Sequence, residues 1–177
     1  MPGNLSVTGA AYGTGVTVAG FEYSIGAAAA AAGTGTGFGG AGGQVATATI
    51  ASPFVAPTDI LWVRVRDSLA RWSPAVGLPT TTAPALVGAG PDYRRFTGTA
   101  TSHSASGIVA VEYALNAPSA PGSGINVPLG AQSGNMVVNY NGGRTNAQPA
   151  FPTGTVIWVR VQDGLGIWGQ AVSVTVP

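Results

Sequence analysis

Apolar and polar positions alternate with a period of two through Ile60-Leu61-Trp62-Val63-Arg64-Val65-Arg66-Asp67. The same alternation returns in Val156-Ile157-Trp158-Val159-Arg160-Val161-Gln162-Asp163. That period belongs to a half-buried β-strand. It predicts Leu61, Val63 and Val65 facing a core while Trp62, Arg64 and Arg66 face out. In the second copy Ile157, Val159 and Val161 oppose Trp158, Arg160 and Gln162. A further tryptophan follows each copy at equal spacing, Trp72 and Trp168. The chain reads as one β-unit used twice.

The other elements fall into matching pairs. Leu5 to Ala11 and Phe96 to Thr101 predict a first strand in each unit. Ala19 to Ile25 and Val109 to Leu115 predict a second. Their expected inward sets are Ala19, Phe21, Tyr23, Ile25 and Val109, Val111, Tyr113, Leu115, which leaves Glu22 and Glu112 outward. Short strands are expected at Gln44 to Ile50 and Asn135 to Tyr140. The last strands place Trp72, Val76, Leu78 and Trp168, Val172, Val174, Val176 on one side, with both tryptophans packing the end of the core.

The copies diverge in the middle. Gly26 to Gly43 is almost wholly alanine, glycine and threonine, whereas Asn116 to Gly134 is richer in proline, serine and asparagine. Tyr23 and Tyr113 stand 90 positions apart but Trp62 and Trp158 stand 96 apart, so six residues are inserted in the second copy. Loops tolerate such change over a fixed strand frame. No stretch carries a 3.6-residue apolar period, and Ala27 to Ala32 is too short to nucleate a helix despite its propensity. An all-β chain follows: domains over 1–79 and 85–177, with a stiff Pro/Thr linker over 80–84. Roughly seven short strands per unit favour a sandwich.

Composition narrows the function. With 177 residues, each unit buries only a thin core. There is no cysteine, so neither a disulfide nor a thiolate metal site staples it. Charged residues make up 7% of the chain, all seven basic residues are arginine, and the net charge is +1. Neither nucleic acid nor an anionic membrane surface is implied. So few charges suit a chain packed into something larger. Met1-Pro2-Gly3-Asn4 has no basic start and leads into no apolar run, so no secretory leader is read there. No segment approaches the ~20 apolar residues of a membrane span.

Three runs carry a family resemblance: Thr97-Gly98-Thr99-Ala100, Gly107-Ile108-Val109-Ala110-Val111-Glu112-Tyr113, and Trp158 to Trp168. Together they resemble bacterial immunoglobulin-like or fibronectin-type-III-like modules, in which an Arg-x-x-Asp turn precedes a tryptophan. The first half matches through Phe21 to Ile25 and Leu61 to Trp72. The resemblance implies two tandem immunoglobulin-like β-sandwich domains, and the lack of the paired cysteines of antibody domains points to a bacterial or phage module. It also implies that the Glu-bearing and Arg-bearing strands are neighbours, pairing Glu22 with Arg64 and Glu112 with Arg160. Exposed on an outer face, each pair would contribute at most about 1 kcal/mol. Tyr23, Tyr113, Trp72 and Trp168 take structural roles on the same reading.

Trp62, Arg64, Arg66, Trp158 and Arg160 are the candidate partner-contact residues, since interfaces enrich tryptophan and arginine. Phe38, isolated among glycines, joins them. The competing reading is an outer-face tryptophan capped by its own loops. Catalysis finds no footing. His103 stands in a Ser-rich turn as a solvated residue, with no carboxylate and nucleophile spaced to form a triad. The six carboxylates are dispersed. Gly35-Thr36-Gly37-Phe38-Gly39-Gly40 fits a G-x-G-x-x-G string but follows no βαβ strand and opens no helix, so it is no dinucleotide site. Asp67 and Asp163 read as turn-capping aspartates rather than calcium ligands. No cofactor and no metal is expected.

Two functions are consistent with this. The first is a non-enzymatic structural protein of a large assembly, a phage virion component such as a head decoration, tail or fibre protein, whose partners are other subunits. Loops as long and apolar as Ala27 to Gly43 are uncommon unless functional or disordered, and this reading has another subunit burying that one. The second is a secreted bacterial surface adhesin or carbohydrate-binding module, which would present Trp62 or Trp158 as an aromatic platform for a host-surface glycan.

Overall fold

The computed structural model describes residues 5–40, 42–50, 60–88 and 92–177. The chain divides into two compact units, Met1–Gly77 and Leu78–Pro177. In the first, β1 (Leu5–Ala10) pairs with β4 (Val45–Ile50). Beside them β2 (Val18–Gly26) lies between β3 (Thr36–Phe38) and β5 (Ile60–Asp67), and β5 takes Val76 and Gly77 of β6 (Val76–Thr81) on its other edge. In the second, β8 (Arg95–His103) pairs with β11 (Val137–Gly143), with the remainder of β6 and with β7 (Ala85–Val87). The facing sheet runs in the order β10 (Ile125–Asn126), β9 (Ile108–Leu115), β12 (Val156–Asp163), β13 (Val172–Thr175). Every pairing with a defined register is antiparallel. The chain is all-β, and among the described residues the one helical turn is a 3-10 turn at Gly130–Gln132.

The alternation in the two long strands holds. Leu61 and Val63 are buried, as are Ile157, Val159 and Val161. In the second unit they meet Phe96, Val111, Tyr113 and Tyr140, with Phe96 edge-on to Tyr113 at 5.1 Å. In the first unit Val18, Phe21 and Ala48 form a smaller cluster with Phe38 and Val65 packed against it.

The expected inward sets of β2 and β9 are partly corrected. Val18 and Ile108 are buried, while Ile25 and Val109 are exposed and Ala19 is half-buried. The register shifts between Val18 and Gly20 and again opposite Gln162 and Asp163. Each bulge inserts one residue, at Ala19 and at Val109, and flips the alternation on one side of it, which periodicity alone does not reveal. Ile25, by contrast, keeps phase with Phe21 and is exposed near the far end of β2.

The stretch read as a linker also behaves differently. Thr80 and Thr81 continue β6, and the Thr82 N–H donates to Thr99 O at 2.9 Å. A proline removes only its own donor, so the threonines between Pro79 and Pro84 remain able to pair.

His103 is not in a free turn. It ends β8, half-buried, with Nε2 at 3.0 Å from Thr80 Oγ1, and burial pushes its pKa below the ordinary value.

Candidate functional site: a loop clamped on a buried carboxylate in each repeat

The expected cross-strand pairs form. Glu22 lies opposite Arg64 and Glu112 opposite Arg160. Arg64 Nη1 stands 3.3 Å from Glu22 Oε1, and Arg160 Nε stands 3.5 Å from Glu112 Oε1. Their expected exposure is overturned: Glu22 and Glu112 are each only 4% exposed. What covers them is the chain's own loop.

In the first unit the Gly33 N–H donates to both Glu22 carboxylate oxygens (3.1 and 3.0 Å) and the Gly35 N–H to Oε2 (3.2 Å). Arg64 reaches over the same loop to Ala30 O, and the Ala30 N–H returns to Ser24 Oγ at 3.1 Å. In the second unit Glu112 accepts from the Gly122 and Gly124 N–H groups (3.2 and 2.9 Å) and from Ser119 Oγ (3.4 Å), while Arg160 donates to Ser119 O. The turn that presents the amides is also duplicated. Thr34 Oγ1 donates to Ala31 O and Ser123 Oγ to Ala120 O, each at 2.7 Å. A carboxylate that accepts several backbone N–H groups and an arginine is satisfied in a way a lone surface pair is not.

The small residues of the loop now have a reason. A Cβ on Gly35 would stand 2.7 Å from Tyr23 O, and one on Gly124 would stand 2.9 Å from Glu112 Cδ. Gly33 and Gly122 sit at φ 82° and 78°, the left-handed region that glycine enters without a Cβ penalty. The backbone must come this close to reach the carboxylate, so side chains are excluded.

The tryptophans complete the cover. Trp62 is half-buried, and its Nε1 donates to Gly26 O at 3.1 Å. Trp158 is half-buried too, but its Nε1 is enclosed with no hydrogen-bond partner among the described residues. Asn116, at φ 65°, turns the second loop toward Val156 instead, exchanging hydrogen bonds through Val156 O (2.7 Å) and its own Oδ1 (3.2 Å). Trp72 and Trp168 do not fill the end of the core as expected. They bridge to Arg66 and Gln162, lie half-buried beside Gly33 and Gly122, and the Arg66 guanidinium rests over the Trp72 ring at 5.6 Å. Cross-strand partners share a face, and the face of Arg66 and Gln162 is the outer one.

Other candidates are placed as follows. Phe38 packs inward between Phe21 and Tyr23, with ring centroids at 5.5 and 5.7 Å, and is no free contact residue. Tyr113 is buried in the second core, which raises its pKa. Burial also lowers the Arg160 pKa, against the opposing pull of Glu112. Asp67 and Asp163 are turn caps. Asp67 Oδ1 accepts from the Leu69 and Arg71 N–H groups at 2.9 Å each, and Asp163 Oδ1 from Leu165 and Ile167 at 3.0 Å each. Burial pushes the Asp67 carboxyl upward, but the bonds from Arg71 and Leu69 outweigh it and hold the pKa below the ordinary value. Among the described residues no group of three metal-ligating side chains comes together, and no helix is long and apolar enough to cross a membrane.

The arrangement is therefore a closed clamp. Both glutamates are spent on backbone amides and arginine, which leaves neither poised for proton transfer. What sequence reasoning missed is the pair of anchors, Gly33-Thr34-Gly35 and Gly122-Ser123-Gly124. The signal was present as a Gly-[Thr/Ser]-Gly string matched 89 positions apart. Comparisons with protein-family models and with curated proteins return no match.

Proposed function

We propose that the chain is a non-enzymatic structural protein of a large assembly, a phage-type virion component acting through protein–protein contacts. The observation that carries this reading is a pair of apolar turn tips. Leu69 and Leu165 occupy equivalent places in the two Asp-braced turns and are 61% and 59% exposed. Twice over, a chain with 7% charged residues holds a leucine out in water on a fixed turn. Such side chains are suited to burial against a neighbouring subunit. Tyr12, 85% exposed, adds an aromatic ring to the first unit's apolar surface. Ala27, Ala28, Ala31 and Ala32 of the clamped loop are also exposed in the chain alone, available as a small-residue contact.

The glycan-binding reading gains no support from the tryptophans, because Trp62 and Trp158 are half-buried within the clamp rather than displayed as a platform. The test is to tag the chain in the cells that produce it, isolate it without denaturant and weigh the product by native mass spectrometry. A fixed copy number within a multi-protein particle is expected. Recovery as a free monomer that responds on a glycan array would reverse the choice.

A further inference from the structure

We infer that the end of the β8–β11 ribbon, where Arg94, Arg95 and Arg144 gather, is a docking surface for a carboxylate-bearing segment of a different protein. The inference starts from a charge balance over seven arginines and six carboxylates. Arg64, Arg71 and Arg160 are paired with Glu22, Asp67 and Glu112, and Arg66 rests over the Trp72 ring. At the ribbon end Arg94 meets Asp92, while Arg95 and Arg144 make no ion pair among the described residues. Three arginines and one aspartate leave a charge of +2 there, and the other four arginines and five carboxylates leave −1 elsewhere. The net positive charge of the chain is concentrated in this one place.

Backbone pairing forces the gathering. The register of β8 on β11 puts Gly143 opposite Arg95, and the Arg144 N–H donates to Arg94 O at 2.8 Å, so Arg94 and Arg144 stand directly opposed. Cross-strand partners share a face, and like charges set opposite each other repel. Both follow the inward phase of Phe96 and Gly142, and the Arg144 guanidinium lies over the buried Phe151 ring at 4.6 Å. Arg95 alternates to the outer face, where its Nε donates to Asn141 Oδ1 at 3.1 Å.

The loop after β11 spreads the opposed pair without neutralising it. Arg94 Nη1 donates to the Asn146 and Gln148 carbonyls, and Arg144 Nη1 to those of Pro149 and Ala150 at 3.0 and 3.1 Å. Carbonyl dipoles satisfy donors but bring no net charge. The one carboxylate present, on Asp92, is 63% exposed, so water screens its pairing with Arg94. Arg95 is exposed, and only its Nε is engaged among the described residues. Its Nη groups are left for a planar, two-oxygen acceptor, the geometry a carboxylate offers.

A second copy has no described carboxylate to bring. Glu22 and Glu112 are 4% exposed and Asp163 0%. Asp67 is tied to Arg71 at 2.7 Å, and Asp92 belongs to the cluster itself. The counter-charge therefore comes from a different chain. Nucleic acid suits the surface less well, since phosphate-backbone binding draws on many contacts and the rest of this chain is negative. This deepens the assembly reading, on which it rests for the partner being a neighbouring subunit, by giving one contact its chemistry.

The test titrates a short polyglutamate peptide into the full chain at low ionic strength and follows the arginine Nε–H signals by NMR, with an oligothymidylate of matched charge in parallel. Shifts should concentrate at Arg94, Arg95 and Arg144 and fade as salt is raised. Arg95→Gln should weaken peptide binding by up to about fivefold, while Arg71→Gln, at another exposed arginine, binds as the wild type does. Shifts spread evenly over all seven arginines, no shift at all, wild-type binding by Arg95→Gln, or tighter binding of the oligothymidylate than of the peptide overturns the proposal. If Arg95→Gln does not fold, the wild-type signals decide, and silence at Arg95 and Arg144 overturns it equally. The native mass of a particle is not touched by this titration, so a negative result leaves the assembly reading standing.

Discussion

Ala70 sits at φ 63°, in the left-handed region, where the second repeat places Gly166 at φ 80°. A Cβ in that region costs roughly 1 kcal/mol. Ala70→Gly should therefore stabilise the first unit by about 1 kcal/mol, and Gly166→Ala should weaken the second by a similar amount, read from urea denaturation midpoints. The tryptophan pair offers a second contrast. Trp62→Phe loses a hydrogen bond to Gly26 O, whereas Trp158→Phe removes an N–H that has no partner among the described residues. The first change should be more destabilising than the second by about 1 kcal/mol, and equal losses would contradict the assignment. At this scale the sequence was readable where two copies keep the same residue within a matched strand, as Glu22 and Glu112 do in one and Arg64 and Arg160 in the other. It was not readable at Ala19 or Val109, because a bulge leaves no mark in composition.

The loop between β2 and β3, and its counterpart between β9 and β10, is the element on which the reading changed most. Its alanines and glycines suggested a surface waiting for a neighbour, but the glycines are small because the backbone folds onto Glu22 and Glu112. Strand positions follow from periodicity, while a loop's path depends on where a buried acceptor is, and that emerges only once Glu112 and Arg160 are side by side. Amide hydrogen exchange checks the clamp. Gly33, Gly35, Gly122 and Gly124 should exchange slowly for loop residues, and Glu112→Gln should speed Gly122 and Gly124 while leaving Gly33 and Gly35 as they were. Truncation to Glu112→Ala strands Arg160 beneath the loop and should cost about 3–5 kcal/mol, measured by chemical denaturation.

For the whole chain, the repeat and the all-β class were legible from alternation, and the extent of β6 was not, since two prolines disguised a pairing strand as a spacer. This has a consequence for cutting the chain. Thr81 Oγ1 donates to the buried Tyr140 hydroxyl at 3.1 Å, and that hydroxyl donates to Thr82 O at 3.3 Å. A fragment of residues 78–177 keeps both bonds, and one beginning at Ala85 loses both. The shorter fragment should be less stable by about 1–3 kcal/mol in thermal or urea unfolding. On the proposed assembly reading, the apolar turn tips held out in water are covered by neighbouring subunits. Hydroxyl-radical footprinting of the isolated chain against the same chain in the particle that this reading expects tests it most directly. Labelling at Tyr12, Leu69 and Leu165 should fall in the particle, and equal labelling of all three in both states would contradict the account.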